Sequence, residues 1–141
     1  MKEIKEETKD EIRKRILSLR SELTAEECAE KSRLICNKII ETVDYQNADT
    51  IYLYLAFRNE VDLSAVIQTA FSDGKIVAAP KVMGKDLIQF YRLRQDSEGK
   101  LNTQPGCWGI EEPDAVLGDE PAPLPDLILL PGVAFDRHGN R

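Results

Sequence analysis

The sequence predicts a single α/β domain with a mostly parallel sheet flanked by helices, and two observations support this class. An apolar run at residues 51–56 is followed by a helical pattern and by a second apolar run at residues 75–79. Such a strand–helix–strand unit has the length of a crossover between parallel strands. Amphipathic helical patterning covers residues 1–43. The 141 residues (1–141) are enough for one domain with its own core.

The N-terminal segment, residues 1–43, predicts a helical hairpin. Apolar side chains recur along one stripe of residues 9–23, whereas the other faces are charged. Thr24 and Glu27 then have the spacing of a capping box, which begins a second helix that we expect to continue to Val43. Ten basic and ten acidic residues make this segment neutral overall.

The centre of the chain predicts three strands and one helix. Residues 51–56 are rich in β-branched and aromatic side chains, which is typical of a strand buried on both faces. Asp62 is expected to cap the following helix and Gly74 to end it. Residues 75–79 predict the second parallel strand. Residues 87–93 alternate between polar and apolar side chains, which favours an antiparallel or edge strand.

The segment 95–126 predicts a long, irregular, acidic loop. It holds four of the eight glycines, five of the seven prolines, and eight acidic residues against the single Lys100. Loops of this length inside a compact domain are usually functional or disordered. After it, residues 127–130 predict the most apolar strand, and residues 136–139 a polar turn.

Composition excludes several classes of partner. The net charge of -6 and the sequence pI near 4.9 argue against nucleic-acid binding, because phosphate backbones attract basic surfaces. No apolar run approaches the roughly 20 residues that a membrane span needs. Three cysteines without CxxC spacing indicate reduced thiols. We therefore expect a cytoplasmic protein with neither nucleic acid nor membrane as a partner.

Two candidate site residues, Glu60 and Lys81, follow from the rule that ligands bind beyond the carboxyl ends of the strands, and three others are considered for their side-chain chemistry. Glu60 can accept hydrogen bonds from a ligand, or can simply precede a helix. Lys81, expected just after a strand, suits an anion. Lys9 and Arg13 face the same way and can grip a polyphosphate, or can belong to a solvated face. Trp108 can wall an aromatic ligand or anchor its loop.

These residues predict a small-molecule site with anion-binding cations, and no known nucleotide-loop, metalloprotease or nucleophile-elbow motif accompanies them.

Five segments, taken in order, carry a resemblance: the Lys9–Arg13 pair, residues 53–61, Pro80-Lys81, residues 108–113 and residues 126–141. The last, DLILLPGVAFDRHGNR, is the most specific. Together they resemble the 5-formyltetrahydrofolate cyclo-ligase family, also called 5,10-methenyltetrahydrofolate synthetase, along the whole chain. The resemblance implies a three-layer α/β/α fold.

The resemblance also implies an activity, that of a ligase in one-carbon metabolism. Family members use ATP and magnesium to convert 5-formyltetrahydrofolate into 5,10-methenyltetrahydrofolate, releasing ADP and phosphate. The formyl oxygen attacks the terminal phosphoryl group, and the neighbouring 10-position nitrogen then attacks the activated carbon and closes the ring. Such chemistry depends on alignment and charge neutralisation. The partners implied are 5-formyltetrahydrofolate and Mg-ATP, bound by a protein that is a monomer when complete.

Carried over position by position, the resemblance implies ligand contacts at seven residues: ATP at Lys9, Arg13 and Arg141, the folate at Leu55 and Glu60, and pocket positions at Lys81 and Trp108. It implies no catalytic side chain and no metal ligand within the chain.

The sequence departs from the family after Arg141. There the family continues into a glycine-rich Leu-Gly-x-Gly-x-Gly-Tyr-Tyr-Asp loop around the nucleotide, followed by further strands and helices. We therefore expect the 141 residues to be an incomplete domain with an uncovered sheet edge and little turnover of their own. The alternative is a non-catalytic folate- or nucleotide-binding module that lacks this loop.

Overall fold

The computed structural model describes residues 6–114 and 121–141. In chain order the elements are α1 (Lys9–Ser21), α2 (Ala25–Glu41), α3 (Val43–Asn47), β1 (Thr50–Tyr52), α4 (Ser64–Ser72), β2 (Ile76–Gly84), β3 (Leu87–Arg92), β4 (Thr103–Pro105), β5 (Glu111–Pro113) and β6 (Leu127–Ile128). Within the described residues no helix is long and apolar enough to cross a membrane.

Capping boxes begin both helices of the predicted hairpin. The Thr8 hydroxyl accepts the N–H of Glu11 and the Glu11 carboxylate accepts the N–H of Thr8, at 3.2 and 3.0 Å. Thr24 and Glu27 repeat this arrangement at the start of α2. The two helices are therefore confirmed, although residues 1–5 of the predicted segment lie outside the described residues. None of the α1 residues is buried.

The second helix ends earlier than predicted. Thr42 has an extended backbone, and its hydroxyl accepts the N–H of Tyr45 at 3.2 Å, so it starts a new helix, α3. The predicted continuation to Val43 is wrong because the pattern of apolar residues runs on past this second cap. Tyr45 of α3 is completely buried and its hydroxyl donates to Asp73 at 2.8 Å.

The main sheet has the strand order β3-β2-β1-β6. Strands β2 and β6 both pair with β1 in parallel, whereas β3 pairs with β2 in antiparallel orientation. This confirms an α/β fold with a mixed, mostly parallel sheet flanked by helices. The core is formed by the sheet with α2, α3 and α4, and its largest fully buried side chains include Tyr45, Ile51, Val66 and Val77.

Strand lengths differ from the sequence predictions. Regular pairing of β1 stops at Tyr52, four residues before the predicted end. By contrast, β2 continues to Gly84, because it still pairs with β3 beyond Ala78, which is the last β2 residue that pairs with β1. Lys81 therefore lies inside a strand and not after one, and Pro80 is tolerated there because it lies beyond the β1 pairing.

The predicted irregular loop, 95–126, contains regular structure. Strands β4 and β5 form a two-stranded antiparallel sheet joined by a short turn. Gln104 pairs with Glu112 across it. The amino-acid composition did not predict this hairpin, because its strands are only three residues long and include prolines. Residues 115–120 of the segment lie outside the described residues. Strand β6 is also shorter than the predicted 127–130.

Helix α4 follows its predicted boundaries closely. It begins at Ser64, but the predicted cap at Asp62 is wrong by one residue, because Leu63 occupies the N-cap position and makes no side-chain capping bond. Asp62 contributes from the preceding position, where its carboxylate accepts the N–H of Ser64 at 2.9 Å. It ends at Ser72, and Gly74 takes a left-handed conformation at φ 74°, as expected for a helix stop.

Asp126 clamps the start of β1 against the start of β6. Its carboxylate accepts the N–H groups of Asp49 and Thr50 at 2.9 and 3.0 Å, and its own N–H donates to the Thr50 carbonyl. The N–H of Thr50, followed by that of Asp49, lowers the pKa of Asp126 below its ordinary value. The clamp fixes where β6 begins beside β1.

We expect Asp126→Asn to weaken the acid sensitivity of folding. Because the pKa is lowered in the folded state, the clamp contributes stability above the unfolded pKa of about 3.9 and loses it as pH falls through the folded pKa. Denaturant melts between neutral and acidic pH should therefore show a smaller loss of stability for the variant than for the parent. The exposed Asp44→Asn serves as the control, and equal pH slopes in all three proteins would contradict the role of the clamp.

Candidate functional site

A cationic cavity of about 730 Å³ lies between α1 and the chain that follows β6. Helix α1 contributes Lys9, Arg13 and Arg20, which lie at i, i+4 and i+11 and so project from one side of the helix. Residues 131–136, Asn140 and Arg141 form the opposite wall. We name this space the α1 cavity. It is lined by four basic side chains and three side-chain carboxylates, so it has a local excess of positive charge.

A tight turn holds Arg141 at this cavity. The N–H and the side-chain amide of Asn140 donate to the Asp136 carboxylate at 2.9 and 2.8 Å, and the Asn140 carbonyl accepts the N–H of Asp136. The Asn140 side chain is the main cause that lowers the pKa of Asp136. Arg141 then reaches back, and its guanidinium donates to the Pro131 carbonyl at 3.1 Å.

Glu60 sits in a strained turn after β1. Its Oε1 accepts the N–H of Phe57 at 2.8 Å, and its N–H donates to the Phe57 carbonyl. Arg58, inside the turn, has φ 56°, a left-handed conformation that is unfavourable for a residue with a Cβ. Asn59 donates from its side chain to the Arg20 carbonyl, which ties the turn to the last turn of α1. The turn thus fixes the Glu60 carboxylate between the strand and the helix.

A second cavity of about 520 Å³ lies on the α2 side of the same turn and is named here the α2 cavity. Its walls include Tyr54 and Leu55 after β1, with Thr103 and Glu111 of the β4–β5 hairpin. Glu60 lines both cavities and is the described residue they share. The two spaces therefore adjoin, and Glu60 stands at the boundary.

Tyr54 supports the wall of the α2 cavity. Its hydroxyl donates to the Val61 carbonyl at 3.0 Å, and burial, with the negative charge of Glu60 as the next cause, raises its pKa to about 12. The positive charge of Arg20 acts in the opposite direction. Tyr54 is therefore a neutral hydrogen-bond donor near physiological pH and does not supply a charge to the site.

Two residues singled out from the sequence lie apart from these walls. Lys81 pairs with Glu112 at 3.3 Å and lines neither of the two cavities. Trp108 lies in the turn between β4 and β5, with 86% of its surface exposed. Conversely, Arg20 lines the α1 cavity although it was not among the site residues predicted from the sequence. Its spacing of seven from Arg13 is the signal that would have found it.

Magnesium has no ready-made protein site in the part of the chain that the structure describes. No group of three or more His, Cys, Asp or Glu side chains is placed to hold a metal ion there. Asp136 borders the α1 cavity, but its oxygens already accept the bonds that shape its turn. The described residues alone therefore do not fit a resident metal.

The fold and the paired cavities define an α/β protein with a candidate small-molecule site beside the turn that follows β1. Residues 5–141 match the family described as the 5-formyltetrahydrofolate cyclo-ligase family. The chain belongs to the 5-formyltetrahydrofolate cyclo-ligase family.

Individual relatives agree with this assignment. The chain is 32% identical over 123 residues to 5-formyltetrahydrofolate cyclo-ligase of Mus musculus, covering 84% of this chain and 60% of the relative. It is 32% identical over 140 residues to a probable 5-formyltetrahydrofolate cyclo-ligase of Caenorhabditis elegans, covering 96% and 67%. The NMR structure of Aquifex aeolicus 5,10-methenyltetrahydrofolate synthetase superposes with a TM-score of 0.72 at 29% identity, covering 90% of this chain and 62% of that one. The chain thus spans about three fifths of the mouse relative's length.

Proposed function

We propose that the protein catalyses the ATP-dependent cyclisation of 5-formyltetrahydrofolate to 5,10-methenyltetrahydrofolate, with release of ADP and phosphate. The observation that carries this proposal is that the two cavities adjoin at Glu60. A reaction that transfers a phosphoryl group between two bound molecules needs two neighbouring spaces, one of them cationic. The names of the matched relatives agree with this chemistry.

The α1 cavity is proposed as the site of the ATP phosphates. Lys9 and Arg13 face it from α1, and Arg141 faces it from the opposite wall. Guanidinium and ammonium groups form charge-assisted hydrogen bonds with phosphate oxygens, which are stronger than neutral ones. Arg20 lies on the same helix face and is proposed to add charge at the end of the cavity nearest Glu60. Magnesium is proposed to arrive with the nucleotide, as Mg-ATP.

The α2 cavity is proposed as the folate site. Leu55 offers an apolar wall, and Glu60 has a carboxylate that can accept hydrogen bonds from the amino and amide N–H groups of a pterin ring. Its Oε1 is already held by the Phe57 N–H, so the carboxylate is oriented before a ligand arrives. Orientation before binding lowers the entropy cost of recognition.

The proposed reaction proceeds by two displacements. The formyl oxygen attacks the terminal phosphorus of ATP, and the bond from that phosphorus to the bridging oxygen breaks, which releases ADP. The nitrogen at position 10 then attacks the formyl carbon and gives up its proton to water, and the carbon–oxygen bond breaks, which releases phosphate. The cations of the α1 cavity neutralise charge on the transferred group, and the Glu60 turn holds the folate against it.

We further propose that the protein acts as a monomer in the cytoplasm. Free thiols at Cys28, Cys36 and Cys107 support a reducing compartment.

Turnover and binding measurements test the proposal. The full-length gene product should form methenyltetrahydrofolate, followed by its near-ultraviolet absorbance, only when 5-formyltetrahydrofolate and Mg-ATP are both present. In the 141-residue chain, Arg13→Met should weaken Mg-ATP binding by about tenfold to hundredfold, because one charge-assisted contact is lost. Arg33→Met makes the same change on α2 at an exposed side chain that lines neither cavity, and should leave binding unaltered. Formation of product without ATP would refute the proposal, whereas binding of both ligands without turnover by the gene product would favour the non-catalytic module.

A further inference from the structure

The ion pair between Lys81 and Glu112 is the least exposed one among the described residues. Its side chains are 17% and 13% exposed, whereas those of the pairs Glu7–Arg15 and Glu30–Arg33 are 45 to 57% exposed. Removing charges from water is costly unless each is fully partnered. The additional bonds supply that partnering, since Lys81 also donates to the Pro113 carbonyl at 3.2 Å and Glu112 also accepts the N–H of Val82 at 3.3 Å. The pair therefore fastens β5 to β2.

The other face of β5 borders the α2 cavity. Successive side chains of a strand point to opposite faces, so Glu112 faces β2 while its neighbour Glu111 faces away from it. Glu111 lines the α2 cavity together with Thr103 on β4 and Glu60 across the space. The attachment to β2 thus holds one wall of the proposed folate site.

The turn at the end of this hairpin is shaped by Glu112. Gly106 begins the turn and closes it with an N–H bond to the Ile110 carbonyl at 2.8 Å. A Cβ at Gly106 would collide with the Glu112 side chain, so that side chain packs directly against the backbone of the turn. Trp108 occupies the turn at φ 62°, a left-handed conformation that is unfavourable for a bulky residue and that persists only where its surroundings enforce it.

We propose that Lys81 and Glu112 are positioning residues whose ion pair holds the β4–β5 hairpin against β2, and with it the wall of the α2 cavity that Thr103 and Glu111 form. This inference rests on the proposed function for the identity of the ligand. Lys81 itself contacts the hairpin and not the ligand.

The first test follows the mobility of Trp108 without any ligand. Trp108 is the single tryptophan, so fluorescence anisotropy and acrylamide quenching report on this turn alone. Lys81→Met should lower the anisotropy and raise the quenching constant in protein that denaturant melts show to be folded. Lys81→Arg, which can still reach Glu112, should restore both values towards those of the parent. Arg33→Met breaks the exposed pair on α2 and should change neither.

The second test follows the ligand. Calorimetry should show that Lys81→Met weakens 5-formyltetrahydrofolate binding by about tenfold, because a β4–β5 hairpin that the ion pair no longer holds must be ordered at each binding event. Its affinity for Mg-ATP should stay unchanged because the α1 cavity is untouched. Gly106→Ala should reproduce both effects without altering either charge, because the new methyl group displaces Glu112.

Particular outcomes decide between the inference and the proposed function. Parental anisotropy in folded Lys81→Met, or parental folate affinity in both Lys81→Met and Gly106→Ala, would overturn the positioning role. If the parent chain and the full-length gene product both fail to bind 5-formyltetrahydrofolate, the proposed function is wrong, and so is the role of the β4–β5 hairpin in binding the folate. The anisotropy comparison still decides whether the ion pair holds the hairpin that carries Trp108.

Discussion

Glu60→Ala is expected to abolish measurable binding of 5-formyltetrahydrofolate. The substitution removes the acceptor proposed to face the ligand, and it also removes the Oε1 bond to the Phe57 N–H that holds the turn after β1. A hydrogen bond to a charged group contributes about 1.5–3 kcal/mol, and a turn that is no longer fixed must also be ordered on binding, so the affinity should fall by about a hundredfold. Titration calorimetry with 5-formyltetrahydrofolate measures this directly.

A second substitution separates the turn from the ligand contact. Glu60→Gln keeps an acceptor for the Phe57 N–H but replaces one carboxylate oxygen with an N–H donor, which would face donors on the ligand. We expect a turn of parental stability and a folate affinity nearly as poor as that of Glu60→Ala. Glu98→Ala, which removes an exposed glutamate that lines neither cavity, is the control. Parental folate affinity in Glu60→Ala would remove Glu60 from the site.

The largest expected effect on stability comes from Tyr45→Ala. Tyr45 is completely buried, its hydroxyl donates to Asp73, and the Lys75 ammonium lies 4.9 Å from its ring centroid. Truncating a buried aromatic residue to alanine costs about 3–5 kcal/mol through lost burial and the cavity left behind. Because domains of this size are stable by only about 5–15 kcal/mol, chemical denaturation should show a large fall in the unfolding free energy. A change below about 1 kcal/mol would mean that α3 does not anchor the core.

Tyr45→Phe isolates the hydroxyl in the same place. Burial, followed by the bond to Asp73, raises the pKa of Tyr45 above its ordinary value. A raised folded pKa gives stability that is present below the unfolded pKa of about 10 and is lost as pH rises above it. The parent should therefore lose stability in alkali more steeply than the Phe variant. Near neutral pH the variant should lose only about 1 kcal/mol, since exposed Asp73 can bond to water instead.

Local sequence signals predicted the helices well. Capping depends on residues three apart, so Thr24 with Glu27 located the start of α2, and Gly74 located the end of α4. The start of α3 was missed because Tyr45, and not Glu or Gln, lies three residues after Thr42, so the capping-box pair is absent there. Strand lengths were predicted less well, since they depend on partners far away along the chain. Strand β2 extends to Gly84 only because β3 continues to pair with it.

In the candidate site, too, contacts between residues far apart in the sequence could not be predicted. The resemblance placed Lys9, Arg13 and Arg141 at ligand positions, and the structure brings these three side chains to one cavity. The pairing of Lys81 with Glu112 joins positions 31 residues apart, so no spacing rule could have revealed it. Lys81 therefore looked like an isolated cation in the sequence. Arg20 was missed although its helical spacing was available.

The sparse packing of α1 has a consequence for affinity. This helix carries three cations of the α1 cavity, yet none of its residues is buried, and Asn59 bonds the turn after β1 to its last turn. A protein whose binding-competent state is only partly populated binds its ligand more weakly by that fraction. The affinity for a phosphate ligand therefore depends both on the strength of the individual contacts and on how often α1 is docked. Conversely, a bound polyphosphate that bridges Lys9, Arg13 and Arg141 would hold the helix in place, so that ligand and helix stabilise each other.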